Sequence, residues 1–226
     1  MSIYNIQVLY RHRSFVICDK PVGIPSQSPG LPDLVSHELG TRCYPVHRLD
    51  QGTGGVIVLA LDSRSCSALQ KSFSESTTVK HYLAVIEGKP ADQYGEYMDL
   101  LFHDVRKNKS FVVNRPRKGV REASCSWKVL ESTDSEQNSL TLVMITLTTG
   151  RTHQIRVQFA SRGLPLVGDR KYGSRISADT YALWSAGIRF PDPMTENRKM
   201  VEAFSYPPCI YPWNLFHIHD QRPDSG

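Results

Sequence analysis

His47, Arg48 and Asp50 stand together in HRLDQGTGG, residues 47–55, and a run of glycines follows at once. A carboxylate beside an arginine and an imidazole can act as nucleophile or general base. The next residues, VIVLA at 56–60, form a short apolar run rich in β-branched side chains, which reads as a buried strand. Asp50 therefore sits on a loop that feeds into the core, either as a turn former or as a catalytic group. A second polar cluster, GRTHQIR at 150–156, holds two arginines, a histidine and a glutamine, and directly follows the apolar run LTLVMITL. Burial alone raises an aspartate pKa, whereas an adjacent arginine lowers it by about 1–3. A desolvated site that needs an ionised Asp50 therefore needs such a partner.

Other chemistries lack their residues. The glycines of QGTGG do not match GxxxxGK[ST], and they precede a strand instead of joining a strand to a helix. There is no HExxH and no second histidine at ligand spacing beside His47 or His153, so no metal site is expected. A GxSxG nucleophile elbow is missing, which sets the serine hydrolases aside.

Several elements must position the two clusters. Gln7–Tyr10 and Phe15–Cys18 read as short strands, the second stopped at Lys20–Pro21. PVGIPSQSPGLPD, with four prolines and two glycines, reads as loop. Asp62 or Ser63 can cap a helix that places Cys66, Leu69 and Phe73 on one face. VKHYLAVIEG reads as a strand ending at Gly88. Residues 105–121 carry seven Lys or Arg and no acid, with FVV at their centre, and read as a hairpin arm with basic flanks. Such a run is either a solvated surface or a track for a phosphate backbone. ASCSWKVLES and SLTLVMITLTTG read as two strands around a polar turn. Thr152 can cap a short helix carrying Ile155 and Phe159, with Gly163 as its stop. FPDPMTENRKMVEAF reads as a late hairpin. The expected fold class is α+β, with a mixed or mostly antiparallel sheet and flanking helices, in one domain over 1–216 with a disordered tail at 217–226.

The 226 residues carry a net charge of +5 and a pI of about 9.0, which allows a nucleic-acid partner without requiring one. Five cysteines, at 18, 43, 66, 125 and 209, form no CxxC pair. Reduced thiols and a cytoplasmic setting are expected. The N-terminus lacks the order of a signal peptide, and no apolar run approaches the roughly 20 residues of a membrane span.

The motifs together resemble the RluA-like family of RNA pseudouridine synthases. HRLDQGTGGVIVLA is similar to that family's HRLD signature, which continues through TSG into an apolar run. DKPVG at 19–23 resembles its KPxG turn, VKHYLAVIEG at 79–88 its KxYxAxVxG strand, LTTGRTHQIRVQ at 147–158 its TGRxHQIRVH motif, and VGDRKYG at 167–173 its GDxxYG loop. The five occur in the family's order. The resemblance implies a bent sheet with a central active-site cleft, and an isomerase that uses neither cofactor nor metal. It detaches uracil from C1′ of a uridine in RNA, turns the base and rejoins it through C5. It makes Asp50 the catalytic carboxylate, Arg156 its arginine partner, Tyr82 the residue stacked on the base and Ile155 the aliphatic packing on the base's other side. Arg48 would help fill the space left by the flipped nucleotide, since the glycosidic bond cannot be reached inside a stack. His47, Thr53 and Arg151 belong to the same motifs and are expected at the substrate. Arg106, Lys107 and Lys109 of the basic arm are expected on phosphates.

Three positions depart from the pattern: Gly54 where serine is usual, Gln158 where histidine is common, and the stretch ALWSAG near Trp184, which lacks a histidine often found there. The first motif begins about twenty residues in, which leaves no room for an N-terminal S4 domain. RNA affinity is then expected from the catalytic domain itself, acting as a monomer on a compact stem-loop of tRNA or rRNA. The competing readings are a catalytically silent RNA-folding factor on the same fold, and an unrelated phosphotransferase or hydrolase built on Asp50.

Overall fold

Alternating and continuous apolar runs set the strands of this chain, and the computed structural model describes residues 6–75, 77–134 and 139–218 of it. The chain divides into two compact units. One comprises the residues up to Lys80 together with Trp184–Pro207; the other comprises His81–Leu183 and the residues from Pro208 on.

The first unit is a mixed sheet. β1 (Val8–Arg11) pairs antiparallel with β2 (Phe15–Lys20), and β2 pairs antiparallel with β4 (Gly54–Ala60). The short β3 (Tyr44–Pro45) lies antiparallel against the far end of β4. β10 (Leu183–Pro191) meets the start of β4 in parallel, at Trp184↔Gly54 and Ser185↔Gly55, and β11 (Met200–Phe204) closes a hairpin with it. Every residue of β4 is buried, as a strand covered on both faces requires. α1 (Leu31–Leu39) and α2 (Ser63–Phe73) flank the sheet sequence. Asp62 caps α2 by accepting the Ser65 N–H at 2.8 Å, as expected from its position. α1 was not expected. It starts inside the proline-rich stretch, with Pro32 in its first turn, where the missing N–H costs nothing, and with Asp33 reaching back to the Gly30 N–H.

The second unit is an antiparallel sheet in the order β5–β9–β8–β6–β7: β5 (Val79–Glu87), β6 (Tyr94–Asp104), β7 (Lys109–Val113), β8 (Val120–Asp134) and β9 (Ser139–Leu147). The basic stretch 105–121, expected as a hairpin arm, supplies only the turn Val105–Asn108, β7 and the start of β8; the hairpin is β6–β7, so its first strand precedes the stretch. α3 (Gln154–Ala160) packs over β6 and β7 through Val157 and Phe159. Thr152 does not cap it. His153 holds the N-cap position in a left-handed conformation, φ 55°, and Thr152 offers its carbonyl to the Ser110 hydroxyl. Of the predicted tail, only His217 and Ile218 are described: the His217 amide donates to Glu131 and Ile218 is buried. The polar turn expected at 135–138 and the tail from 219 on lie outside the described residues.

No helix among the described residues is long and apolar enough to cross a membrane. Nor, among them, does any group of three or more His, Cys, Asp or Glu side chains come together as a metal would require.

Candidate active site

The glycines after Asp50 answer to packing. A β-carbon on Gly54 would lie 2.2 Å from the Trp184 ring, and one on Gly55 would lie 2.2 Å from the Ser185 carbonyl oxygen. Gly55 also holds φ +105°, which L side chains rarely adopt. Gly55 therefore lets the β10 backbone approach β4, and Gly54 makes room for the Trp184 ring. The departure from the family pattern at Gly54 has its counterpart in the bulk of Trp184.

The loop carrying Asp50 is stapled to the DKPVG turn. Leu49 donates its N–H to Ser26 Oγ at 3.0 Å and receives the hydroxyl on its carbonyl at 2.7 Å. The Gln51 carbonyl accepts from the Gly23 N–H at 2.9 Å and from Lys20 Nζ at 3.3 Å, while Gln51 Nε2 donates to the Gly23 carbonyl at 2.8 Å. Gly23 stands at φ +90°, which turns its amide toward Gln51. The Asp50 carbonyl accepts the Thr53 N–H at 2.9 Å, closing a turn. The backbone is thus pinned on both sides of Asp50, whose side chain is half-buried. Arg48 is exposed and Thr53 is buried.

Lys20 is the residue that sequence reasoning passed over. It is fully buried, and its ammonium donates to the carbonyls of Ile24, Pro21 and Gln51 at 2.8, 2.9 and 3.3 Å. Burial pushes it down to about 8, against the pull of the Asp50 charge. His47, expected at the substrate, has a structural task on β4 and α2. Its Nε2 accepts the Val58 N–H at 3.1 Å, so Nδ1 carries the proton, and its ring packs on Phe73. Burial, with the Lys80 charge, pushes it down to about 3, so it is neutral at pH 7.

In the second unit, Tyr82 on β5 pairs in register with Ile145 and is buried, as are Ile155 and Arg156 on α3. Arg156 Nε donates to Asp169 Oδ2 at 2.7 Å and Nη2 donates to Oδ1 at 2.8 Å, a bidentate pair only 5% and 1% exposed. The guanidinium lies 3.9 Å from the Tyr181 ring centroid and 5.0 Å from that of Tyr172. Asp169 is the aspartate of GDRKYG, a motif quoted from the sequence without a role for its acid. Arg156 and Asp169 line a cavity of about 410 Å³ with Arg170, Lys171, Asp179 and Tyr181. Gln154 staples the approach to α3, its Oε1 accepting from the Arg151 N–H at 3.0 Å and the Thr149 hydroxyl at 2.8 Å. Gln158, in the place of the family's histidine, is wholly buried and donates to Asp99 at 2.8 Å.

Of the basic arm, Arg106 and Lys107 are exposed on the β6–β7 turn. Lys109 lies over the Tyr172 ring at 5.2 Å, the same ring that carries Arg156.

Known proteins are similar to this chain in sequence and in fold. The family described as RNA pseudouridylate synthase matches residues 14–161, a span that crosses the boundary between the two units. An uncharacterized RNA pseudouridine synthase of Haemophilus influenzae is 32% identical over 184 residues, 75% of this chain and 74% of the relative. The dual-specificity RNA pseudouridine synthase RluA of Haemophilus ducreyi is 31% identical over 183 residues, 76% of this chain and 79% of the relative. Among solved structures, human RNA Pseudouridylate Synthase Domain Containing 1 shares the fold, with a TM-score of 0.78 at 22% identity over 93% of this chain and 86% of that one. The chain belongs to the RNA pseudouridylate synthase family. It is an isomerase acting on RNA, a pseudouridine synthase of the RluA-like group.

Proposed function

We propose that Asp50 is the carboxylate that converts a uridine of a compact tRNA or rRNA stem-loop to pseudouridine, and that the two units act as one catalytic domain, working as a monomer in the cytoplasm. In this reaction the C1′–N1 bond breaks, the base turns, C1′ bonds to C5, the C5 hydrogen leaves to solvent as a proton, and N1 takes up a proton. Asp50 is the group that attacks or takes a proton. Arg156 is the cation that keeps it ionised, Tyr82 and Ile155 hold the base, and Arg48 and Thr53 complete the substrate side of the loop. Arg151, Arg106, Lys107 and Lys109 bind phosphates, offsetting the few kcal/mol that extruding a base costs. The observation that carries the reading is the clamped loop: Leu49 and Gln51 are both tied by their backbones, which is how a fold fixes a reacting group between them.

Tritium release from RNA labelled at C5 of uracil tests it, with tRNA and rRNA pools assayed separately and wild type beside Asp50→Asn. Release by wild type alone, from one pool, is expected. Binding without release from either pool would favour an RNA-folding factor.

A further inference from the structure

A second cavity lies in the unit that holds Arg156, and it shares no lining residue with the cavity around that arginine. It measures about 260 Å³ and is lined by His103, Ser110, Arg121 and Arg151, with Gly119, Gly150, Thr152 and Leu101 completing its wall. This is below the size of a drug-like pocket, and its polar groups are cationic or neutral, with no carboxylate. The two glycines leave backbone at the wall; a β-carbon on Gly150 would meet nothing within 4 Å.

One of the two cations is anchored. Arg151 donates Nε to the Glu122 carbonyl at 2.9 Å, which anchors the root of its guanidinium. Among the described residues, the terminal nitrogens of Arg151 and the whole guanidinium of Arg121 have no carboxylate partner, although both side chains stand at the cavity. Ser110 gives its hydroxyl proton to the Thr152 carbonyl at 2.6 Å, so His103 Nδ1–H must donate to the Ser110 hydroxyl oxygen at 3.1 Å. The imidazole is thereby fixed in orientation. Two guanidiniums at one small cavity, neither matched by an acid, are the recognition chemistry of a phosphate.

Tyr172 joins this cavity to the other. Its hydroxyl accepts the Ser110 N–H at 2.8 Å and meets His153 Nδ1 at 2.8 Å, while its ring faces the Arg156 guanidinium. Tyr172 thus touches a lining residue of each cavity, Ser110 of this one and Arg156 of the other.

We propose that this cavity is a phosphodiester subsite for a nucleotide flanking the target uridine, with Arg121 and Arg151 as the phosphate ligands. The proposal rests on the reading that the chain acts on RNA. Arg121 is its new member, since it lies in no motif of the family signature quoted above.

The test measures Kd and turnover for one RNA substrate across a salt series, for wild type, Arg121→Gln, Arg121→Lys and Lys128→Gln. Lys128 is an exposed lysine of the same strand outside the cavity and serves as the charge control. Arg121→Gln is expected to weaken binding about tenfold, as the loss of a charged hydrogen-bonding group does. It should also make the slope of log Kd against log salt shallower by about 0.7, the value for one contact to a single strand. The loss should fall on KM, leaving kcat in place. Arg121→Lys should restore the slope and only part of the affinity, because an ammonium lacks the fork. Lys128→Gln should stay within about twofold of wild type. If Arg121→Gln behaves like Lys128→Gln while wild type binds and turns over normally, the subsite is wrong and the function stands. If wild type neither binds nor modifies RNA, both fall.

Discussion

The two units hold their site residues by different means. Around Asp50 the backbone is what is fixed: Leu49 and Gln51 are tied on either side, and the buried cation nearby, Lys20, spends its ammonium on three carbonyls. Around Arg156 the side chain itself is fixed, by a bidentate carboxylate and two aromatic rings. The role proposed for Asp50 asks for a rigid root, which the tied backbone on either side supplies. A guanidinium that supplies charge needs a rigid tip. The proposed roles predict that the first design loses function when the acid is changed and stability when the loop is untied. The second loses both when its counter-charge is removed.

The sharpest break in this comparison is Asp50→Asn. Because the loop is held by backbone groups, tritium release should fall to background while the melting temperature stays at the wild-type value. Loss of fold in this variant would show that the acid, too, is structural. Next comes Asp169→Asn, which removes the charge of one member of the buried Arg156–Asp169 pair. Breaking such a pair costs about 3–5 kcal/mol, readable as a lower urea midpoint, and activity should drop with it. A small effect would mean that the Asp169 pair is not what holds the guanidinium.

Lys20→Met separates the two designs further. It strands buried carbonyls and should cost about 1–3 kcal/mol. Lys20 is held near 8 in the folded chain against 10.5 for a free lysine, so between those values the unfolded chain binds more protons. Wild-type stability should therefore gain up to about 3 kcal/mol from this group as pH rises from 8 to 10.5, and Lys20→Met should lack that gain. Parallel stability curves for the two proteins over that range would overturn the assignment.

The smallest expected effect belongs to His47. Its folded value lies near 3, below the ordinary 6.5, so acid favours the unfolded chain. Lowering pH from 7 to 5.5 should cost wild type about 1 kcal/mol through this ring. His47→Gln, which keeps an acceptor for the Val58 N–H, should flatten that limb in acid denaturation scans.

Much of this was legible in the chain. The apolar run at 56–60 and the Asp62 cap follow from residue types over short windows, and both stand where they were expected. α1 was hidden because proline and glycine read as loop, although proline suits a first helical turn. The cap of α3 was assigned one residue early, since a histidine in the left-handed region has no signature in sequence. Asp169 and Lys20 both sat in quoted motifs without a task. Their partners lie 13 and up to 31 residues away, so only the fold brings the pairs together. A buried cation or acid inside a motif is the signal that could have marked them.

The contact of Gly54 with the Trp184 ring makes these two positions a single heritable unit. Restoring the family's serine at Gly54 alone would drive a side chain into the indole. Trimming Trp184 first would open a void that serine could then fill, at the price of one intermediate with a hollow beneath β4. The two replacements can therefore be made in one order and not the other. A lineage carrying the tryptophan is locked to its glycine until the larger residue gives way.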